Sequence, residues 1–301
     1  MPTRSSSVRL LREAARVWLD RNAFQHAGAL AFYTLFSLAP LMIILVAIIG
    51  MVYGEEAASG EIFAWIKDLL GNRAAAAVED AVARSRPAEA GLLPTLLGVG
   101  ALLFGATTVF AQMQSSLNQF WDVRPRPERS GMLSFVAVRL VSLGMVLILG
   151  FLMLISFVVS IAIAGMIEYA GHWIAVPSVL VSAVDVVLSL LVTTAVFGML
   201  FRILPDVVLQ WSDVWRGALF TALLFLIGQY LITFYLTRVA PESTYGAAGA
   251  LVLVLLWVYF SSLIFYFGTA MTKVAILHRD GVIVPKVTAV REQRSGGPAT
   301  M

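Results

Sequence analysis

The chain of 301 residues contains no cysteine, so disulfides, thiolate metal sites and cysteine nucleophiles are all excluded. Its three histidines, His26, His172 and His278, stand in separate segments and offer little to an all-histidine zinc site. There is no Walker loop, no G-x-S-x-G elbow and no H-E-x-x-H helix motif. Charge is scarce too: Asp, Glu, Lys and Arg make up 13% of the residues, against roughly a quarter in a soluble domain. These absences predict a protein that is not an enzyme and holds no metal and no cofactor.

Apolar side chains are what the sequence has in excess. They form 59% of the chain, with a mean hydropathy of +0.87, so lipid must be the solvent for much of the surface. The pI near 9.3 does not make nucleic acid an expected partner, because the net charge is only +3 and the basic residues sort by membrane side. A helix needs about 20 apolar residues to cross a bilayer. Six segments qualify: 30–53, 91–111, 132–164, 176–201, 215–237 and 246–272. The third is longer than the hydrocarbon requires and must tilt, kink or project. The expected fold class is therefore all-α: a polytopic membrane bundle of six transmembrane helices, with residues 1–280 as one membrane domain.

With the N-terminus inside, all but five of the 21 Lys and Arg fall on the cytoplasmic side; the five are Lys67, Arg73, Arg84, Arg86 and Arg238. Both termini are then cytoplasmic, and the location expected is a bacterial inner membrane. The first 26 residues lack a short apolar core followed by a small-residue cleavage site, so the first span is expected to stay as an anchor.

Three segments outside the spans have patterns of their own. On a helical wheel of residues 8–21, Arg9, Arg12, Glu13, Arg16 and Asp20 share one sector and apolar residues fill most of the rest. This predicts an interfacial helix with membrane lipids as partners, each arginine gaining ~1 kcal/mol from anionic lipid; packing on the protein's own cytoplasmic loops is the alternative. Between the first two spans, residues 62–70 and 73–86 have helical spacing and predict short outer helices. The polar stretch 281–301 predicts a disordered cytoplasmic tail. Self-association into a homo-oligomer is compatible with all of this.

Candidate chemistry lies where polar residues line up inside a span. Ser178, Ser182, Asp185, Ser189 and Thr193 step by three or four residues, which keeps them within a stripe of about 80°. An ionised Asp185 ~12 Å below the outer end faces a penalty of ~3 kcal/mol unless it meets water or a cation. Two readings stand: a proton or cation site facing a cavity, or a neutral aspartate joining helices. Fainter seams are Thr108, Gln112, Ser115 and Gln119; Ser134, Ser142, Ser156 and Ser160; and Gln229, Thr233 and Thr237. Each reads as a cavity wall or as ordinary helix packing. Arg139 reads as a substrate contact or a snorkelling anchor. Pairs spaced by four, Ala101 with Gly105, Thr194 with Gly198 and Gly246 with Ala250, suit close helix approach. Pro40 should kink or interrupt the first span and is a candidate hinge.

Four stretches carry a family resemblance: HAGALAFYTLFSLAPLMIIL from His26, SSLNQFWDV from Ser115, LPDVVLQWSDVWRGALFTALLF from Leu204, and STYGAAGALVLVLLWVYFSSLIFYFGTAMTKV from Ser243. In this order the chain resembles the YihY/BrkB family of bacterial inner-membrane proteins, over residues 20 to 275. The resemblance implies six helices and an activity not yet settled; a ribonuclease label and links to serum resistance and export have been attached to the family. The matching polar positions are Ser37, Asn118, Trp121, Asp122, Pro205, Trp211, Ser243, Tyr245, Gly246 and Trp257. Ser243, Tyr245 and Gly246 would lie at the outer entry to the last span, as a gate or as a tightly packed helix start.

The reading that unites these features is a transporter or exporter of a lipid, a lipid-linked precursor or a small polar solute, working through a polar cavity among spans 2 to 5. The substrate contacts expected are Asp185, Ser182, Ser189, Thr193, Gln112, Ser115, Asn118, Arg139 and Gln229. The gating or motif positions are Pro40, Trp121, Asp122, Pro205, Ser243, Tyr245 and Gly246. A non-transporting scaffold and a membrane-bound nuclease are the alternatives. The topology is checked by single cysteines in this cysteine-free chain. Cysteines at Ser5, Ser130 and Ser295 should be shielded from an impermeant thiol reagent in intact cells and one at Ala88 should react; labelling at Ser130 would break the six-span arrangement.

Overall fold

The computed structural model describes residues 4–53, 92–126, 131–171, 178–239 and 246–292, and a few isolated helical residues between 53 and 92. Two strands accompany the long helices: α1 (Arg4–Asp20), α2 (Ala23–Tyr53), α3 (Leu92–Phe120), β1 (Val123–Pro125), α4 (Gly131–Gly171), α5 (Ser178–Ile203), α6 (Trp211–Val239), α7 (Gly246–Asp280) and β2 (Ala289–Arg291). Among the described residues, four stretches are long and apolar enough to cross a membrane: Val136–Ile163 of α4, Val186–Ile203 of α5, Trp211–Ile232 of α6 and Val252–Arg279 of α7. The other two long helices, α2 and α3, have 31 and 29 residues. The helices outrun the expected spans, α3 by continuing to Phe120 and α4 by reaching 41 residues. Most of the 62–86 segment lies outside the described residues, as do Ser243 and Tyr245.

Three of the helices stop where a residue accepts the left-handed backbone. Asn22 (φ 49°) turns the chain between α1 and α2, Asp122 (φ 57°) ends α3, and Gly281 (φ 71°) ends α7. Glycine, asparagine and aspartate are the residues that enter this region most readily. At Gly281 the backbone N–H returns to the Leu277 carbonyl at 3.0 Å, closing the helix.

The neighbours along the bundle are α2 with α3 and α7, α5 with α6, and α6 with α7, whereas α4 packs only sparsely on α5. The α6–α7 crossing is reciprocal. Gly217 of α6 faces Thr272 of α7, and Gly268 of α7 faces Thr221 of α6. A Cβ on either glycine would drive into the opposing threonine, so close approach requires glycine here. Both threonine hydroxyls donate to their own helix, Thr221 to the Gly217 carbonyl at 2.7 Å and Thr272 to that of Gly268 at 2.8 Å. Gly105 plays the same part for Pro40: a Cβ there would come within 2.8 Å of the proline ring. Pro40 does not interrupt α2, which continues through it; the ring serves as a knob seated on Gly105.

The N-terminal helix packs on α7 rather than on the loops, with Ala14 fully buried and Trp18 Nε1–H donating to the Leu263 carbonyl at 3.0 Å. The Glu13 carboxylate accepts from His278 and Arg9, which holds its carboxyl below the usual range.

The disorder expected after residue 280 is corrected for residues 281–292. β2 pairs antiparallel with β1, Val123 opposite Arg291 and Pro125 opposite Ala289, and Pro285 bridges to Val207. Ile283 and Ala289 are buried. Burial alternates along this stretch, Ile283 facing inward between exposed Val282 and Val284, and the polar residues after 285 hide that pattern. Residues 293–301 lie outside the described residues.

Gly268→Ala should destabilise the protein by about 1–3 kcal/mol through overpacking against Thr221. Adding Thr221→Gly should recover part of the loss. Thermal unfolding in detergent measures both, and an unchanged midpoint for Gly268→Ala would mean that the helices are not in this close contact.

Candidate functional site

At the end of the bundle where α3, α7 and the strands meet, one carboxylate collects two cations. Lys273 on α7 is almost fully buried, with Nζ donating to Asp122 Oδ2 at 2.6 Å and to the Phe120 carbonyl at 2.7 Å. Arg21, from the α1–α2 turn, donates to the other oxygen, Oδ1. The Asp122 carbonyl accepts from the Glu292 N–H at 2.8 Å, which adds the C-terminal segment. Burying a lysine is tolerable only with a partner so placed.

A second junction lies beside it. Asn118 Nδ2 donates to Asp206 Oδ2 at 2.8 Å, and the Asp206 backbone N–H donates to Asn118 Oδ1 at 2.8 Å. The Asp206 carbonyl accepts from the Lys286 N–H at 2.9 Å. Burial pushes the Lys286 ammonium below its usual range; Asp206 opposes that shift and Arg202 adds to it. Arg202 itself donates to the Leu209 carbonyl and stacks over Trp211, its guanidinium carbon 4.7 Å from the ring centre. Further along α6 and α7, Arg279 pairs with Asp213, Nη2 lying 2.8 Å from Oδ2.

Toward the other end the bundle opens into a cavity of about 750 Å³. Its walls come from α2 to α7; two helices each contribute a polar seam, Ser156 and Ser160 from α4 and Ser189 and Thr193 from α5, and α6 adds Gln229. Thr34 of α2 and Ser261 and Ser262 of α7 join them. Apolar residues make up the rest, among them Leu149, Met153, Val192, Phe197, Phe225 and Phe265, and no charged side chain is on the wall among the described residues.

A family profile described as Virulence factor BrkB matches residues 14–291, from within α1 to the end of β2. The chain belongs to the BrkB family. Relatives include a UPF0761 membrane protein of Alcanivorax borkumensis, 26% identical over 85% of this chain and 58% of its own length, and one of Pseudoalteromonas translucida, 26% identical over 84% and 81%. A putative ribonuclease-like protein, YfkH of Bacillus subtilis, is 27% identical over 60% of this chain and 65% of its own. The chain thus spans little more than half the length of several relatives it matches. No solved structure matches it.

Of the substrate contacts expected for this BrkB protein, the cavity collects Ser189, Thr193 and Gln229. Asp185 belongs to α5 one turn before Ser189, but its side chain and that of Ser182 lie outside the described residues. Gln112, Ser115, Asn118 and Arg139 are not on the cavity wall. Gln112 donates to Ser116 at 3.3 Å, Ser115 is exposed, and Asn118 holds Asp206. Arg139 joins α4 to α3, donating to the Thr107 and Thr108 hydroxyls at 3.1 and 3.0 Å and lying over the Phe104 ring at 4.1 Å. Among the motif positions, Trp121 is 1% exposed and belongs to the core; Pro205 is also buried. Sequence reasoning missed Lys273 as a buried charge and missed Thr34, Ser261 and Ser262 as cavity residues. A lysine inside an apolar span is itself the signal that could have found the first.

Asp122→Asn leaves Lys273 buried without its counter-charge and should cost about 3–5 kcal/mol. Adding Lys273→Met should restore much of that stability in thermal unfolding. A wild-type midpoint for Asp122→Asn would show that the pair contributes nothing.

Proposed function

We propose that the protein is an inner-membrane transporter or exporter that crosses the membrane six times with both termini in the cytoplasm, and that its substrate is a lipid or lipid-linked precursor held in the cavity between α4, α5, α6 and α7. The observation that carries this is the convergence of two polar seams, from α4 and α5, and the Gln229 amide of α6 on one cavity of about 750 Å³. Serine and threonine used only for packing would be covered by neighbouring helices; Ser160 and Ser189 are exposed on the cavity wall. The apolar remainder suits an acyl or isoprenoid chain, while the hydroxyls and the Gln229 amide suit a polar headgroup. A small ion alone would lose hydration against such walls with little return. Asp185, one turn before Ser189, is the group assigned to proton or cation coupling in this reading.

The nuclease alternative has less support. Phosphodiester cleavage needs a metal or a pair of acid and base groups. At the polar end Asp122 is taken by Arg21 and Lys273, Asp206 by Asn118, and Asp213 by Arg279.

The test is lipid and metabolite profiling of cells lacking or overproducing the protein, with Val192→Trp to fill the cavity and Asp185→Asn to remove the charge. Overproduction should change the level or leaflet of one lipid class, Val192→Trp should abolish the change, and Asp185→Asn should remove its pH dependence. A full effect from well-expressed Val192→Trp would exclude the cavity as the route.

A further inference from the structure

The N-terminal helix has three faces, and only one is used by the fold. Leu10, Ala14, Val17 and Trp18 form the face on α7. At 100° per residue, Val8, Leu11 and Leu19 fall together on a second face, and Arg9, Arg12 and Arg16 on a third beside it. The second face is apolar yet uncovered: Val8 is 59% exposed, Leu11 40% and Leu19 55%. Arg9 is paired with Glu13, whereas Arg12 and Arg16 are exposed and have no carboxylate within ion-pair distance among the described residues.

Continuity decides what covers this surface. Trp18 meets Phe24 edge to face, ring centres 4.8 Å apart. Phe24 begins an exposed aromatic row on α2, followed by Phe32 and Phe36 at multiples of four residues. In an integral membrane protein such a row faces lipid, so the exposed stripe of α1 continues the lipid-facing surface around the corner from α2. A strip of leucine and valine bordered by arginines is the pattern of a helix seated at the boundary between acyl chains and headgroups. Because Trp18 and Ala14 fasten α1 to α7, the helix cannot roll to hide either face.

We infer that α1 is a fixed binding site for anionic phospholipid, with Val8, Leu11 and Leu19 set among the acyl chains and Arg12 and Arg16 on the phosphate groups. This holds whatever the cavity carries. The arginines select charge, and the stripe sets the depth at which they meet it. Each arginine removed should lower the preference for anionic over zwitterionic lipid by about five-fold.

The full-length protein is purified, reconstituted in phosphatidylcholine vesicles with and without phosphatidylglycerol, and spin-labelled at Leu11→Cys, the chain having no other cysteine. The label should be relaxed by oxygen and shielded from a water-soluble nickel chelate. Native mass spectrometry should find phosphatidylglycerol retained over phosphatidylcholine, with the preference falling in Arg12→Gln/Arg16→Gln and kept in Arg12→Lys/Arg16→Lys. A label open to the nickel chelate would mean that water covers the stripe. A label shielded from both reagents would mean that a protein surface or a second copy covers it. Either result, or a lipid preference unchanged in the glutamine variant, would overturn the inference.

Discussion

A single carboxylate, held in a left-handed turn between a buried lysine and an arginine, ties together parts of the chain more than a hundred residues apart. Asp122 receives Arg21 from the α1–α2 turn, Lys273 from α7 and, through its carbonyl, Glu292 from the C-terminal segment. In hydrocarbon there is little hydrophobic drive between helices, since lipid is as apolar as they are. Registration must come from polar contacts and from close fit. Asp122 supplies the first, and the Gly217–Thr272 and Gly268–Thr221 crossing supplies the second.

The two ends of the bundle therefore differ in kind. Near Asp122 the interior is dense, with Trp121, Phe120, Tyr266, Phe201 and Leu204 almost fully buried, and the Phe120 and Tyr266 rings stacked at 5.1 Å. Farther along the bundle α4 packs only sparsely on α5, and the cavity lies among the helices there. Arg139 holds α4 on α3 through the Thr107 and Thr108 hydroxyls.

How much of this could be read from the sequence depended on how local the signal was. Ser156 with Ser160, and Ser189 with Thr193, lie one turn apart on their own helices, so periodicity placed them on shared faces, and those faces line the cavity. The seam of Thr108, Gln112, Ser115 and Gln119 has the same periodicity but is absent from the cavity wall, because a helix face carries no mark of what lies opposite. The Asn118–Asp206 and Asp122–Lys273 pairs join residues 88 and 151 positions apart, beyond any local pattern. The strand formed by Ala289–Arg291 failed for a related reason: three residues have no intrinsic strand stability and exist only because β1 is there to pair with.

The four family stretches converge on the Asp122 and Asp206 junctions and on the Pro40–Gly105 contact, which makes them chiefly instructions for assembly. They also send Leu30, Thr34, Trp257 and Ser261 to the cavity, so that α2 and α7 form its fixed wall. The polar residues of the opposite wall, Ser156, Ser160, Ser189, Thr193 and Gln229, all come from outside those stretches. A substitution there meets the cavity rather than the junctions, and it alters the cavity's lining without loosening the end that holds the bundle together.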